Sequence, residues 1–260
     1  MHARLNINDI KKLAKLIEGD GESLAELQLE PDGKFQTRQM NYKSLAQEVT
    51  AQLRSVFASA NQNDFPMFYY ACGRARGGST ALTNVFGITG IPSYYQPVKS
   101  VMRHVLNSTN PTTVRMRFDH GHLFAKETFG PYTLADCFFQ PVDLLLEAGY
   151  PVDKIHLILF DREPMSALES WIAHWSHRVP EEALIYHFLL STLNAHQVAR
   201  RAKRHGVKIT NYVYELSKDP IFSIQRLFER LDISHLFAKN AIEDWQEKGA
   251  FDLTPEKRTP

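Results

Sequence analysis

The sequence predicts an α/β protein with a mainly parallel central sheet and helices on both faces. Short apolar segments of strand character alternate along the chain with longer segments whose apolar residues recur at helical spacing. This alternation is typical of parallel sheets, because each connection must cross back over one face of the sheet. The 260 residues favour one full-sized globular domain, at about 150 residues per domain.

The first 63 residues predict a helical extension packed on the core. Apolar residues recur at helical spacing over residues 10–17 and again over 45–57. The polar, turn-rich segment between them predicts a hairpin or a loop. The pattern changes near residue 64, so residues 64–260 are predicted to form the main domain.

Within the main domain, strands and helices alternate. The predicted strands are Met67–Cys72, Val114–Phe118, Leu123–Thr128, Lys154–Phe160 and Val207–Tyr214. Four helices are predicted. The first contains Leu82 to Phe86, the second begins at Pro164, the third spans residues 181–204 and the fourth begins at Asp219-Pro220. Each of the first, fourth and fifth strands is followed by one of these helices, which indicates parallel pairing.

Charge and cysteine content exclude several classes of protein. Thirty Lys and Arg residues against 29 Asp and Glu residues leave a formal charge of +1, so no overall field favours a nucleic acid or an anionic membrane. Cys72 and Cys137 are too few for a disulfide scaffold or a cysteine-based zinc site. No apolar stretch approaches the roughly 20 residues of a membrane span, and the N-terminus lacks signal-peptide features. We therefore expect a cytoplasmic protein without nucleic-acid or membrane partners.

A glycine-rich loop follows the first strand of the main domain. Between Gly73 and Thr80 the sequence reads GRARGGST. Such a loop between a strand and a helix directs backbone N–H groups and the positive end of the helix dipole at one point, where an anion can bind. It differs from the Walker A pattern, which has Lys at the position of Ser79. Its cations, Arg74 and Arg76, come earlier.

A second segment predicts another anion site. Arg162 follows the strand that ends at Phe160, and in open α/β sheets ligands bind at the carboxyl ends of the strands. Ser170, eight residues later, lies about 9 Å along the helix that begins at Pro164, which is within reach of an anion bound by Arg162. The two segments together predict one ligand with two separate anionic groups.

These segments resemble the sulfotransferase superfamily, enzymes that use 3′-phosphoadenosine 5′-phosphosulfate (PAPS). The loop Gly73–Leu82 is similar to the family's 5′-phosphosulfate loop, and Phe160–Trp171 is similar to its 3′-phosphate motif, including the Arg-to-Ser spacing. Val213–Leu216 and the helix after Asp219-Pro220 also resemble the family, so the similarity covers about residues 65–232. It implies the P-loop-like sulfotransferase fold, with PAPS bound and 3′-phosphoadenosine 5′-phosphate (PAP) released. The implied cofactor-binding residues are Arg74, Arg76, Gly77, Gly78, Ser79, Thr80, Arg162 and Ser170.

The chain departs from the family pattern at the general base. Cytosolic members have Lys-x-His on a strand after the first motif, whereas this chain has Lys126-Glu127-Thr128. Glu127 is the predicted base, provided that the strand ends there, since on a regular strand it faces away from Lys126. The alternatives are His120, His122 and His104. The family's C-terminal Arg-Lys-Gly contact has only a faint counterpart in Lys248-Gly249.

The resemblance predicts transfer of a sulfuryl group from PAPS to a hydroxyl or amine of a small-molecule acceptor. Arg76 and Lys126 are the expected catalytic cations, and the chemistry requires positioning, cations and a base but no metal. The segments around 94–110 and 173–182 are expected to line the acceptor pocket. Two alternatives remain open: a P-loop kinase-like phosphotransferase, suggested by the Walker-B-like Ile155–Asp161, and a catalytically idle nucleotide-binding protein.

Overall fold

A five-stranded parallel sheet forms the centre of the molecule. The computed structural model describes residues 22–58, 60, 65–109 and 116–243, with Lys11, Lys12, Lys15 and Gly19 as isolated positions before them. Strands β1 and β2 form a separate antiparallel pair, and β3 to β7 form the central sheet in the order β4-β5-β3-β6-β7. The strands are β1 Gln28–Leu29, β2 Met40–Asn41, β3 Met67–Arg74, β4 Ser93–Tyr95, β5 His122–Phe129, β6 Ile155–Asp161 and β7 Lys208–Val213.

Helices connect these strands and cover the sheet. They are α1 Glu22–Ala25, α2 Tyr42–Phe57, α3 Ser79–Ile88, α4 Pro97–Asn107, α5 Leu134–Phe138, α6 Pro141–Glu147, α7 Pro164–Trp175, α8 Glu181–Arg204, α9 Pro220–Arg230 and α10 Lys239–Glu243. Within the described part of the chain, no helix is both long and apolar enough to cross a bilayer.

The predicted α/β class and the parallel sheet are confirmed, and four of the five predicted strands correspond to β3, β5, β6 and β7. The predicted strand Val114–Phe118 is not found over Met116 to Phe118, and its first two residues lie outside the described part of the chain. The strand that pairs with β5 at that edge of the sheet is instead β4. A three-residue strand is too short to produce a recognisable alternation of apolar and polar residues.

The hairpin alternative for the polar segment before α2 is supported by the antiparallel pairing of β1 with β2. Helix α2 begins where the Asn41 side chain accepts a hydrogen bond from the Ser44 amide at 2.8 Å. Its apolar face, which includes Leu45, Val49 and Leu53, packs into the main core. The helical pattern over residues 10–17 falls almost entirely outside the described residues.

Both faces of the sheet are buried, as expected for a parallel sheet with helices on either side. Along β3, Tyr70 and Cys72 belong to one apolar cluster, whereas Tyr69 and Ala71 belong to the cluster on the opposite face. All five strands run in the same direction, so their carboxyl ends lie at one edge of the sheet. Side chains from separate parts of the sequence therefore meet at that edge.

Helices α7 and α9 both begin with proline and are capped by the acidic residue before it. The Glu163 carboxylate accepts hydrogen bonds from the amides of Met165 and Ser166, and Asp219 accepts one from the Phe222 amide. Proline at the first helical position removes an amide that has no acceptor within the helix. Glu163 in the Arg-Glu-Pro segment thus fixes where α7 begins.

Candidate active site

The glycine-rich loop lies at the carboxyl edge of the sheet and leads into α3. Strand β3 ends at Arg74, and Gly78, with φ of +79°, occupies the N-cap position without a side-chain cap. The first amides of a helix have no acceptor within the helix. The amides of Ser79 and Thr80 and the positive end of the α3 dipole therefore form the anion cradle that the sequence predicts.

Two glycines allow this loop to lie directly against β6. A Cβ atom at Gly73 would overlap the carbonyl oxygen of Phe160, and one at Gly77 would lie 2.7 Å from the Phe160 ring. Neither position accommodates a side chain without a shift of Phe160. Because Arg162 follows two residues after Phe160, this packing holds the loop beside the second predicted segment.

The structure brings the two predicted anion-binding segments into contact. The Arg76 Nε donates a hydrogen bond to the Ser170 Oγ at 3.0 Å, and the Arg162 Nη1 donates to the Arg76 carbonyl at 3.3 Å. The Arg162 guanidinium also lies over the Tyr214 ring, 4.7 Å from its centroid. Arg76 has φ of +68°, a left-handed conformation that turns the chain at this point.

Lys126 lies on the other side of the cradle. Its Nζ is 3.3 Å from the Ser79 Oγ and 3.5 Å from the Thr80 Oγ1, and it sits 3.7 Å from the centroid of the Tyr95 ring. Burial lowers the pKa of Lys126 to about 7. Lys126 therefore lies beside the loop hydroxyls, where it was expected, and an anion bound there would favour its charged form.

Arg74, in contrast, is turned away from the cavity. Its Nη2 donates to the Asp161 carboxylate and, at 2.8 Å, to the Arg162 carbonyl, and its guanidinium lies 4.7 Å from the centroid of the Phe188 ring. The side chain is only 5% exposed. The assignment of Arg74 to the nucleotide is therefore corrected: it joins the ends of β3 and β6.

Glu127 is not placed to act as the base. Strand β5 continues to Phe129, so the condition that the strand ends at Glu127 is not met. The Glu127 side chain is fully buried on the face opposite Lys126, where it accepts hydrogen bonds from the amides of Val98 at 2.7 Å and Lys99 at 3.4 Å. It therefore stabilises the N-terminus of α4, and burial raises the pKa of this carboxyl to about 8.

The histidines proposed as alternatives separate into two groups. His122 pairs with Met67 at the start of β3, whereas the cradle follows Arg74, about 23 Å away at roughly 3.3 Å per residue. His120 precedes His122 and lies at the same distant edge of the sheet. Both are therefore excluded as the base. His104, on α4, differs from these two because it lines a cavity above the cradle.

A cavity of about 1550 Å³ opens above the cradle. One side is formed by the cradle, Lys126 and Arg162, and the other by α4 and the last turn of α7. The second side comes from the two segments expected around the acceptor pocket, residues 94–110 and 173–182. Its lining includes Arg103, His104, His174, Trp175, His177 and Arg178.

Lys99 is a charged lining residue that sequence reasoning missed. Its Nζ donates to the carbonyls of Thr128 at 2.7 Å and Gly130 at 2.5 Å and lies 3.4 Å from the Asp136 carboxylate. Burial lowers the pKa of Lys99 to about 8. The helical spacing of Val98, Val101 and Val105 was the available signal, because it identifies α4 and hence its buried face.

A scan of the chain against protein-family models and a search of curated proteins found no match. In the described residues, no group of three or more His, Cys, Asp or Glu side chains is arranged to hold a metal ion.

The position of Glu127 predicts how stability depends on pH. Its pKa in the folded protein, about 8, lies above the reference value of 4.5, so between these values the folded state holds a proton that the unfolded state has lost. The contribution of Glu127 to stability is therefore present at low pH and decreases as pH rises towards 8. Glu127→Gln removes this titration, so the variant should gain stability relative to wild type over that range.

Chemical denaturation of both proteins between about pH 5 and pH 8 measures this difference. Glu182→Gln, at an exposed position on α8, is the matched control. If the difference between wild type and Glu127→Gln stays constant across the range, the assigned role of Glu127 is wrong.

Proposed function

We propose that this protein is a PAPS-dependent sulfotransferase that transfers a sulfuryl group to a hydroxyl or amine of a small-molecule acceptor. The observation that carries the proposal is the contact of the glycine-rich loop with Arg162 and Ser170 at the carboxyl edge of the sheet. A ligand at this edge meets two groups of anion-binding atoms. PAPS has two matching anionic groups, the 5′-phosphosulfate and the 3′-phosphate.

Each group of atoms suits one end of the nucleotide. The loop amides of Gly77 and Gly78, with the hydroxyls of Ser79 and Thr80, hold the phosphosulfate, while Arg162 and Ser170 hold the 3′-phosphate. Arg76 lies between them, since it bonds to Ser170 and its charge also lowers the pKa of Lys126. Arg76 can therefore leave Ser170 and turn towards the phosphosulfate when the nucleotide binds.

The reaction requires the protein to position the two substrates, to supply cations and to supply a base. The acceptor oxygen or nitrogen forms a bond to sulfur while the bond from sulfur to the phosphate oxygen of PAPS breaks, and PAP leaves with that electron pair. Lys126 and Arg76 stabilise the negative charge that develops on the leaving oxygen and the sulfuryl oxygens. A base takes the acceptor's proton.

We assign the base to a histidine of the cavity, since Glu127 faces the opposite side of the sheet. His174 fits this role because it lines the acceptor side of the cavity. Partial burial and the charge of Arg76 lower the pKa of His174, so its imidazole is neutral and able to accept a proton at pH 7. His104, on the facing helix, is the second candidate.

The kinase-like alternative has less support from the geometry. Asp161, at the end of the Walker-B-like strand, accepts hydrogen bonds from the Arg74 guanidinium and from the Arg162 amide. Both bonds go to its Oδ1, so Asp161 pairs with Arg74 here, whereas a phosphotransferase of this type would direct this carboxylate at Mg²⁺. A catalytically idle protein would bind PAP without turnover.

We also propose that the protein acts in the cytoplasm. Cys72 and Cys137 are both unpaired and buried, which is usual in a reducing compartment.

Ligand choice gives the first test of this function. PAP should raise the melting temperature, because it binds the native state at both anion sites, while ATP or ADP with Mg²⁺ should raise it much less. Thermal unfolding with each nucleotide at matched concentration measures the effect. Stabilisation by ATP and Mg²⁺ together with no effect of PAP would support the phosphotransferase instead.

Substitutions at the two ends of the site should have opposite effects. Arg162→Ala removes charge-assisted hydrogen bonds to the 3′-phosphate and should cost about 1.5–3 kcal/mol of PAP affinity, with Ser170→Ala milder. Lys126→Met should instead lower kcat by roughly 10²-fold or more, with a smaller effect on PAP affinity. Calorimetric binding of PAP and steady-state kinetics with PAPS measure the two quantities. Wild-type PAP affinity in both Arg162→Ala and Ser170→Ala would refute the assignment of the 3′-phosphate.

The base is identified by comparing His174→Gln with His104→Gln. Loss of the base should reduce turnover by roughly 10²-fold or more and leave PAP affinity unchanged. We expect this result for His174→Gln, and nearly wild-type turnover for His104→Gln. Full activity of His174→Gln would exclude it, and loss of activity in His104→Gln alone would assign the role to His104.

A further inference from the structure

The charged side chains that line the cavity are of one sign. Its lining contains six cationic side chains, those of Arg76, Lys99, Arg103, Lys126, Arg162 and Arg178. Among the lining residues that the structure describes, none is Asp or Glu. The whole chain, in contrast, has nearly equal numbers of basic and acidic residues. The excess of positive charge is therefore a local property of this cavity.

The nucleotide accounts for only part of this charge. Arg76, Lys126 and Arg162 lie at the cradle and at the proposed 3′-phosphate site. Lys99 is fully buried and directed at Asp136 and two backbone carbonyls. Arg103 and Arg178 remain, and both belong to the acceptor side of the cavity, formed by α4 and the chain that follows α7.

Arg103 is only partly neutralised. Its Nη2 is 3.4 Å from the buried Asp136 carboxylate, but the same carboxylate also lies 3.4 Å from Lys99. One negative charge thus faces two positive charges. The Arg103 side chain is 40% exposed, so part of its guanidinium remains available to a ligand in the cavity.

Arg178 contacts an imidazole rather than a carboxylate. Its Nε donates to the His177 Nε2 at 3.0 Å, which holds the guanidinium without reducing its charge. In the described part of the chain, no carboxylate forms an ion pair with Arg178. The residue is exposed and lines the cavity.

An aromatic wall joins the two arginines. The Arg103 guanidinium lies 5.5 Å from the centroid of the Tyr132 ring, and Tyr132 contacts Trp175 with 6.3 Å between ring centroids. Arg178 follows three residues after Trp175, and its amide donates to the Trp175 carbonyl at 2.8 Å. The side chains of Arg103 and Arg178 and the two rings therefore line the same cavity.

We propose that the acceptor carries an anionic group, a carboxylate or a phosphate, which binds Arg103 and Arg178 while the body of the molecule rests on Tyr132 and Trp175. Guanidinium groups recognise both of these anions through charge-assisted hydrogen bonds. This inference rests on the proposed function for the identification of the bound anion as an acceptor.

Matched probes that differ in charge test the proposal. Calorimetry on the full chain saturated with PAP compares 4-hydroxyphenylacetate with its neutral amide and with cationic tyramine. We expect the acid to bind at least about tenfold more tightly than either, as one charge-assisted contact provides. 4-Hydroxybenzylphosphonate, measured in the same way, establishes whether a carboxylate or a phosphate-like group is preferred.

Substitution of the two arginines tests whether they cause this preference for the acid. Arg178→Ala, an exposed position that should not affect folding, is expected to reduce the preference for the acid by about fivefold to tenfold. Arg103→Gln should do the same, with its melting temperature checked because it contacts the buried Asp136. Arg200→Ala is the matched control, since Arg200 is exposed on α8 and does not line the cavity. PAP affinity should be unchanged in Arg178→Ala.

The outcomes separate this inference from the proposed function. If the amide or tyramine binds as tightly as the acid, or if none of the probes binds at millimolar concentration, the anionic acceptor is refuted even where PAP binds. An unchanged preference in both Arg178→Ala and Arg103→Gln would also refute it. If PAP does not bind but the acid is still preferred through these arginines, the proposed nucleotide function fails and the anion site stands.

Discussion

The contact of Phe160 with the glycine-rich loop is the constraint on which the site depends. Gly73 and Gly77 leave no room for side chains against this residue, and Arg74 bonds to Asp161 directly beyond it. The ends of β3 and β6 are thereby held together. Any ligand that binds the loop must also lie near Arg162, because only one residue separates Arg162 from Phe160. The spacing of the two proposed anion sites therefore follows in large part from this backbone packing.

Two consecutive residues of β5, which face opposite sides of the sheet, have different roles. Lys126 faces the cavity, and Glu127, on the opposite face, accepts hydrogen bonds from the first amides of α4. Helix α4 carries Arg103 and His104 along the cavity. Glu127 therefore positions the α4 side of the cavity, while its neighbour Lys126 lies beside the cradle. Alternation along the strand places both functions on consecutive residues.

The sequence predicted the parallel sheet and the two segments that meet at its edge, the glycine-rich loop and the segment that contains Arg162. Long strands and glycine-rich loops have strong local signals in a sequence. The prediction failed where the outcome depends on tertiary partners. Arg74 was predicted to bind the nucleotide, but its guanidinium pairs with Asp161. The prediction that Glu127 is the base depended on where β5 ends. Helix α4 had a periodic signal, whereas β4 is too short to have one.

The positive charge of the cavity couples the binding of an anion to the protonation of Lys126. Lys126 is buried with Lys99 and Arg76 close enough to disfavour its charged form, and together with burial they lower its pKa to about 7. With the site empty, the lysine is therefore partly neutral near pH 7. An anion beside Ser79 and Thr80 stabilises the ammonium form and raises its pKa, so binding of the anion is accompanied by uptake of a proton. A carboxylate beside Lys126 in the lining would pair with the lysine and weaken this response.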